Sequence, residues 1–244
     1  YLSVYRSPFD VAFGADGKLL IVWDRTAGFL YVVDVGAGEV RQSIALEGGP
    51  MGVAWGEGQK VYVAEYGNGS VAEVDTQTSC VTRRFSVGPK PVGVAVAPKK
   101  GRLVTCNYGI HTVSIVDIVT GRELTRIPAG RHPYFVAIVP DEKIAVVGNL
   151  LAAGPATDPK SASVISLINL HQQCKIADIA LPDSSSNVRD VAVSSDGLWA
   201  YVTHTRGRTT LPTTQLERGW VNTNALTIID LSERKLYATA LLDL

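Results

Sequence analysis

Histidine and arginine are two residue types in this 244-residue chain that can do chemistry or hold an anion. A histidine can act as a general acid or base or ligate a metal, and an arginine binds carboxylates through paired hydrogen bonds. We select as candidate binding residues Arg131, His132, Arg189, His204, Arg206, Arg208, Arg218 and Trp220. Whether these side chains meet depends on the elements that carry them.

Motifs for catalysis are absent from the sequence. It has no serine nucleophile elbow, no His-Glu-x-x-His and no dense carboxylate cluster. Gly67-Asn68-Gly69 is typical of a tight hairpin turn rather than a phosphate loop. We predict no catalytic residue and no metal ligand. A hydrolase in which His132, Arg189 and Asp190 converge remains the enzymatic alternative.

A repeat of about 42 residues organises the chain. A strand-like segment centred on Val-Ala recurs five times, and its valine stands at positions 11, 53, 94, 136 and 191. A second marker, an apolar run that ends in Asp or Asn, recurs at positions 34, 75, 117, 169 and 230. The fourth and fifth repeats carry insertions between the two markers, at Asn149–Ser161 and Thr205–Thr223.

Each repeat contains four short segments rich in Val, Ile and Leu, separated by turn formers. In the third repeat these predicted strands are Pro91–Ala97, Arg102–Cys106, Thr112–Asp117 and Arg122–Ile127. Nearly continuous apolar runs such as Phe29–Val35 indicate sheets buried on both faces. Four strands in such a period predict an all-β fold, a β-propeller of four-stranded antiparallel blades.

We predict a single propeller domain over residues 1–244. Its five blades span about 8–49, 50–90, 91–132, 133–187 and 188–244, and residues 1–7 form the outer strand of a preceding or closing blade. Five blades can be a closed ring or consecutive blades of a larger one. We favour part of a seven-bladed ring, because both ends of the sequence look cut in mid-architecture.

The strand order places most candidate residues on one face of the blades. Connections between blades and loops between second and third strands emerge on that face, together with both insertions. The face carries His111, His132 and His204, and its arginines outnumber Asp190 and Glu217. Two interpretations stay open: a functional rim, or ordinary polar, solvated loops. Trp220 is an interface anchor if it is exposed and a packing residue if it is not.

Composition and cysteine spacing argue against nucleic-acid binding, a membrane span and a disulfide. Lys plus Arg equals Asp plus Glu at 23 each, which argues against nucleic-acid binding. No apolar run is long enough for a membrane span. Cys80 and Cys174 occupy equivalent positions two repeats apart, and Cys106 lies in a strand between them. We therefore expect three free thiols, since a disulfide needs Cα atoms within about 7 Å.

Three segments resemble the YVTN family of β-propeller repeats: Val104-Thr105-Cys106-Asn107, Tyr62-Val63-Ala64-Glu65 and Tyr201-Val202-Thr203-His204. That family is typically seven-bladed, exported and found in surface-layer-like proteins of bacteria and archaea. The segment Leu211–Trp220, followed by Asn222–Ala225, is similar to an insertion in large bacterial proteins. In those proteins such a propeller precedes a c-type dihaem, cytochrome-peroxidase-like domain.

The resemblance implies a periplasmic, cell-surface or secreted protein that binds a protein or an adjoining domain, with a haem-bearing one as the finer expectation. No Cys-x-x-Cys-His occurs, so this chain cannot attach a c-type haem itself, and we expect no cofactor in it. The functional prediction is a non-catalytic docking module. The alternative is a propeller hydrolase of the lactonase type.

Overall fold

Every repeat folds into one four-stranded antiparallel sheet, in which sequential strands are neighbours. The computed structural model describes residues 7–14, 16–155, 157–207 and 222–242. The chain divides into two compact units, the first ending at Arg126 and the second beginning at Ile127. We call each sheet a blade and number the blades in chain order.

The strands follow the predicted repeat closely. Blade 1 contains β1 (Pro8–Phe13), β2 (Leu19–Asp24), β3 (Phe29–Asp34) and β4 (Glu39–Ala45). Blade 2 contains β5 (Pro50–Trp55), β6 (Lys60–Glu65), β7 (Ser70–Asp75) and β8 (Cys80–Ser86). Blade 3 contains β9 (Pro91–Ala97), β10 (Arg102–Asn107), β11 (Thr112–Asp117) and β12 (Glu123–Pro128), with 3-10 turns at Pro98–Lys100 and Tyr108–Ile110.

The second unit holds the two blades with insertions. Blade 4 contains β13 (Pro133–Ile138), β14 (Ile144–Asn149), β15 (Val164–Asn169) and β16 (Cys174–Ala180). Blade 5 contains β17 (Ser185–Val193), β18 (Trp199–Gly207), β19 (Asn222–Asp230) and β20 (Lys235–Leu241). β17 begins three residues before the predicted blade boundary, because Ser185 and Ser186 pair with Arg206 and Thr205 ahead of a bulge. The outer strand predicted over residues 1–7 lies almost wholly outside the described residues.

The Asp or Asn marker has a local physical cause. Its side-chain oxygen accepts a hydrogen bond from the backbone N–H three residues later, which closes the turn between the third and fourth strands. The five acceptor–donor pairs are Asp34 with Ala37, Asp75 with Thr78, Asp117 with Thr120, Asn169 with Gln172 and Asp230 with Glu233. The marker therefore fixes where each third strand ends.

Apolar cores fill the space between neighbouring blades within each unit. Trp23, Leu30 and Val63 belong to the core shared by blades 1 and 2. A second core joins blades 2 and 3. In the second unit Ile165 and Val202 belong to a core built by blades 4 and 5. Burial of both sheet faces explains why β2 and β3 are nearly continuously apolar, whereas the outermost strands β4 and β8 alternate.

Candidate binding site

In each blade, a buried polar residue lies at or near the end of the second strand. These residues follow the repeat valine by twelve or thirteen positions and are Asp24, Glu65, Asn107, Asn149 and His204, each no more than 2% exposed. In blades 2, 3 and 5 each is the fourth residue of the YVTN-like motif. Its recurrence shows that the motif places one polar group inside each blade.

Side chains from the next two strands hydrogen-bond to four of these polar residues, although one buried atom each of Asn107, Asn149 and His204 has no partner among the described residues. The Asn149 Nδ2 group donates to Ser166 Oγ at 3.0 Å, and that hydroxyl donates to Asp178 at 2.6 Å. Asn107 donates likewise to Ser114 at 2.7 Å. These hydrogen bonds tie β14 to β16 and β10 to β11 through the interior of the sheet. Buried polar groups need such partners, so this chain of contacts is structural.

His204 belongs to this structural set and not to a binding rim. Its Nε2 atom lies 2.8 Å from Thr227 Oγ1, which in turn lies 2.8 Å from Thr239 Oγ1. Burial lowers the pKa of the imidazole, and the Arg206 charge lowers it further. The expectation that His204 faces a partner is therefore wrong. Comparing the fourth letters of the repeated motifs would have shown this from the sequence.

The loop between β14 and β15 is longer than the corresponding loops of blades 1, 2 and 3. Second-to-third-strand loops have four residues in blades 1, 2 and 3, whereas this one has fourteen, residues 150–163. It lies against residues 181–187, where blade 4 passes into blade 5. Ser163 N donates to Ser185 O at 2.8 Å, and Asn187 N donates to Leu150 O at 2.6 Å. We name these two segments together the loop cluster.

Arg131 and His132 hold the base of the loop cluster. The Arg131 guanidinium donates to Ala152 O at 3.2 Å. His132 adopts a left-handed backbone with φ of 55°, and its carbonyl accepts the N–H of Leu150 at 2.9 Å. The Arg131 carbonyl likewise accepts the N–H of Leu151 at 3.2 Å. The structure thus joins these two predicted residues to the first insertion.

Arg206 reaches the loop cluster from blade 5. Its Nε atom donates to Asp183 O at 3.2 Å, and Gly207 N donates to Ser184 O at 2.9 Å. Arg189 is exposed in β17, just after the segment that carries these carbonyls. Arg131, His132, Arg189 and Arg206 therefore all lie on or beside the loop cluster. Arg208, Arg218 and Trp220 lie outside the described residues.

The charge of this surface is more balanced than the sequence count suggests. Lys160 is an exposed cation that we did not select, but Asp158 and Asp183 are exposed in the same cluster. The Asp158 carboxylate accepts the N–H of Lys160 at 2.9 Å, so part of its capacity is used within its own turn. Asp158 and Lys160 both belong to the first insertion and are visible in the sequence. Sequence reasoning missed them because it compared the arginines with Asp190 and Glu217 alone.

Metal-binding geometry is not formed by the described residues. They contain no group of three His, Cys, Asp or Glu side chains placed to share a metal ion. No described helix is long and apolar enough to cross a membrane. Cys80, Cys106 and Cys174 are free thiols.

Comparison with known proteins defines the class. No family model matches the chain, and no curated protein matches it. A solved structure titled Kuenenia stuttgartiensis Hydrazine Synthase is similar over 97% of this chain, with 25% sequence identity and a TM-score of 0.86. This chain spans 66% of the length of that one. With the five four-stranded antiparallel sheets, the similarity defines a β-propeller.

Proposed function

We propose that this β-propeller is a non-catalytic module outside the cytoplasm that docks another protein or an adjoining domain through its loop cluster. One observation carries the proposal. The fourteen-residue β14–β15 loop exceeds what the blade needs, and hydrogen bonds hold it against the start of blade 5. A long loop serves function more often than folding when shorter loops make the same connection in neighbouring blades.

The fixed conformation of the loop cluster favours binding. A loop that is already hydrogen-bonded in the free protein loses little conformational entropy when a partner arrives. Arg131 and Arg189 lie exposed beside it, and arginine is among the residue types that dominate binding energy at interfaces. The cluster therefore combines preorganised backbone with side chains suited to carboxylates.

The finer identity of the partner rests on one similarity. The segment Leu211–Trp220 resembles an insertion in proteins that join such a propeller to a dihaem, cytochrome-peroxidase-like domain. We infer a haem-bearing partner that presents carboxylates, either acidic side chains or haem propionates. The YVTN-like repeats support a periplasmic or cell-surface location.

Binding of a purified dihaem cytochrome-peroxidase-like domain, measured by biolayer interferometry at two salt concentrations, tests the proposal. The triple variant Arg131→Ala, Lys160→Ala, Arg189→Ala should bind at least about tenfold more weakly, because each removes an exposed donor. Arg122→Ala, an exposed arginine on a turn of blade 3, is the matched control and should bind like the wild type.

Two results would contradict the proposal. If the triple variant binds as well as the wild type, the loop cluster is not the docking surface. If the propeller alone turns over lactone substrates, and the variant His132→Ala loses that turnover, the hydrolase alternative replaces docking. Equal melting temperatures of all variants must accompany either result, so that loss of folding is not mistaken for loss of binding.

A further inference from the structure

A cavity lies in the first unit, between blades 2 and 3. It is at the ends of these blades that carry the turns between the first and second strands and between the third and fourth strands. The cavity has a volume of about 510 Å³, within the range of small-molecule sites. Val96, Pro98, Ile118 and Val119 form its apolar wall. Val119 is 81% exposed, which is unusual for a valine and leaves its methyl groups open to contact.

Polar groups converge on the opposite wall around one buried carboxylate. Glu73 accepts hydrogen bonds from Tyr62 Oη at 2.9 Å and Thr82 Oγ1 at 2.8 Å. The Arg83 guanidinium donates to it through Nε at 3.2 Å and Nη2 at 2.9 Å. The ammonium group of Lys60 lies 3.4 Å away. These donors hold the pKa of Glu73 below its usual value even though burial opposes them, so the group is an anion at neutral pH.

On this wall, the N–H groups still able to donate a hydrogen bond belong to Lys60 and Arg83. The Glu73 side chain is 3% exposed, accepts hydrogen bonds from three residues and forms an ion pair with Lys60, whereas the Lys60 side chain is 46% and the Arg83 side chain 33% exposed. Lysine has three N–H donors and arginine five; Glu73 takes two of the five from Arg83, and Arg83 Nη1 also donates to Val119 O at 3.4 Å. Glu57, at the rim, is exposed to water. An entering molecule therefore meets free donors on one wall and methyl groups on the other.

We propose that this cavity binds an amphipathic monocarboxylate, with the carboxylate on Lys60 and Arg83 and the apolar body against Val96, Ile118 and Val119. The exposed donors of Lys60 and Arg83 select the anion, because Glu73 is buried and already paired and the other acid, Glu57, lies at the rim. A charge-assisted hydrogen bond to a carboxylate is stronger than a neutral one. The same chemistry is offered by a free aliphatic acid and by the C-terminal residue of a peptide. The site is independent of the loop cluster.

Titration of the 244-residue chain with small probes, followed by 1H–15N correlation spectra, tests the proposal. Hexanoate represents a free acid, and N-acetyl-leucine represents a peptide C-terminus. Each should shift the resonances of residues 57–60, 98–101 and 118–119 and bind about tenfold more tightly than its own neutral amide. Whichever acid binds more tightly identifies the source of the carboxylate.

Two exposed substitutions keep the test independent of folding. Lys60→Ala removes one donor, and Val119→Asp places a negative charge on the apolar wall; both should weaken the acids about tenfold and the amides less. Val40→Asp, at another exposed valine, is the matched control. Equal binding of acid and amide, no shift at the cavity residues, or unchanged affinity in both folded variants would overturn the proposal.

Discussion

His204 occupies a position at which blades 3 and 4 carry asparagine. Asparagine and a neutral imidazole can both donate one hydrogen bond to a hydroxyl on the next strand, which explains why the repeat accepts either residue. The imidazole of His204 can make this hydrogen bond without a charge, and burial makes the charged form unfavourable. A histidine in this position should therefore make the stability of the protein depend on pH, whereas an asparagine should not.

Acidification should destabilise the wild type more than the variant His204→Asn. The folded-state pKa of His204 is lowered by burial, so below the unfolded pKa of about 6.5 the unfolded chain binds a proton that the folded chain refuses. The contribution of His204 is thus fully present above that pH and is lost as pH falls towards the lower folded pKa. Melting temperatures measured from pH 7.5 to 5.0 should diverge below about 6.5. Parallel curves for the two proteins would contradict the structural role.

The three cysteines should differ in reactivity according to burial. Cys80 and Cys174 are exposed, whereas Cys106 is 0% exposed and its burial raises the pKa of the thiol. A thiol reagent should label two groups in the native protein and three after denaturation without reductant, because the thiolate is the reactive form. A total of one labelled thiol after denaturation would reveal a disulfide and refute the assigned register of the blades.

At the scale of elements, neighbouring blades approach one another at glycines. A Cβ atom built on Gly52 in β5 would lie 2.3 Å from the carbonyl oxygen of Val92 in β9. Because that oxygen is backbone, it cannot rotate away, and blade 2 must shift against blade 3. Close packing between these two strands therefore requires a residue without a side chain.

Gly52→Ala should lower the free energy of unfolding by roughly 1–3 kcal/mol, as expected of overpacking. Gly36→Ala is the control, since its Cβ would lie 3.4 Å from the nearest neighbouring atom, a carboxylate oxygen of Asp34. The control should change stability by less than about 0.5 kcal/mol. Equal denaturation midpoints for both variants would show that the two blades can separate without cost.

The elements themselves were predictable because their causes are local. Asp117 closes its turn through its own side chain, and the β-branched run of β11 needs only neighbours to extend. The predicted and observed bounds of β9 and β11 are therefore the same. The bulge in β17 was not predictable, because it depends on pairing with β18 and on the loop cluster beside it.

At the scale of the whole molecule, the chain carries two candidate binding surfaces, the cavity of the first unit and the loop cluster of the second. Sequence reasoning predicted the first insertion and selected the arginines near it, since both are visible as departures from the repeat, but it did not include residues 181–187. It missed the cavity between blades 2 and 3, whose residues come from three separate turns and from the strands beside them and match ordinary repeat positions. It also misplaced His204, because a strand position alone does not tell whether a side chain enters the sheet or leaves it.

Docking through the loop cluster is tested most directly by hydrogen–deuterium exchange of the propeller with and without a dihaem cytochrome-peroxidase-like domain. The amides of residues 150–163 and 181–187 that face solvent should exchange more slowly in the complex, while the turns of blade 3 at 98–101 and 118–122 stay unchanged. Protection confined to the blade 3 turns, or no protection anywhere at saturating partner, would contradict docking at the loop cluster.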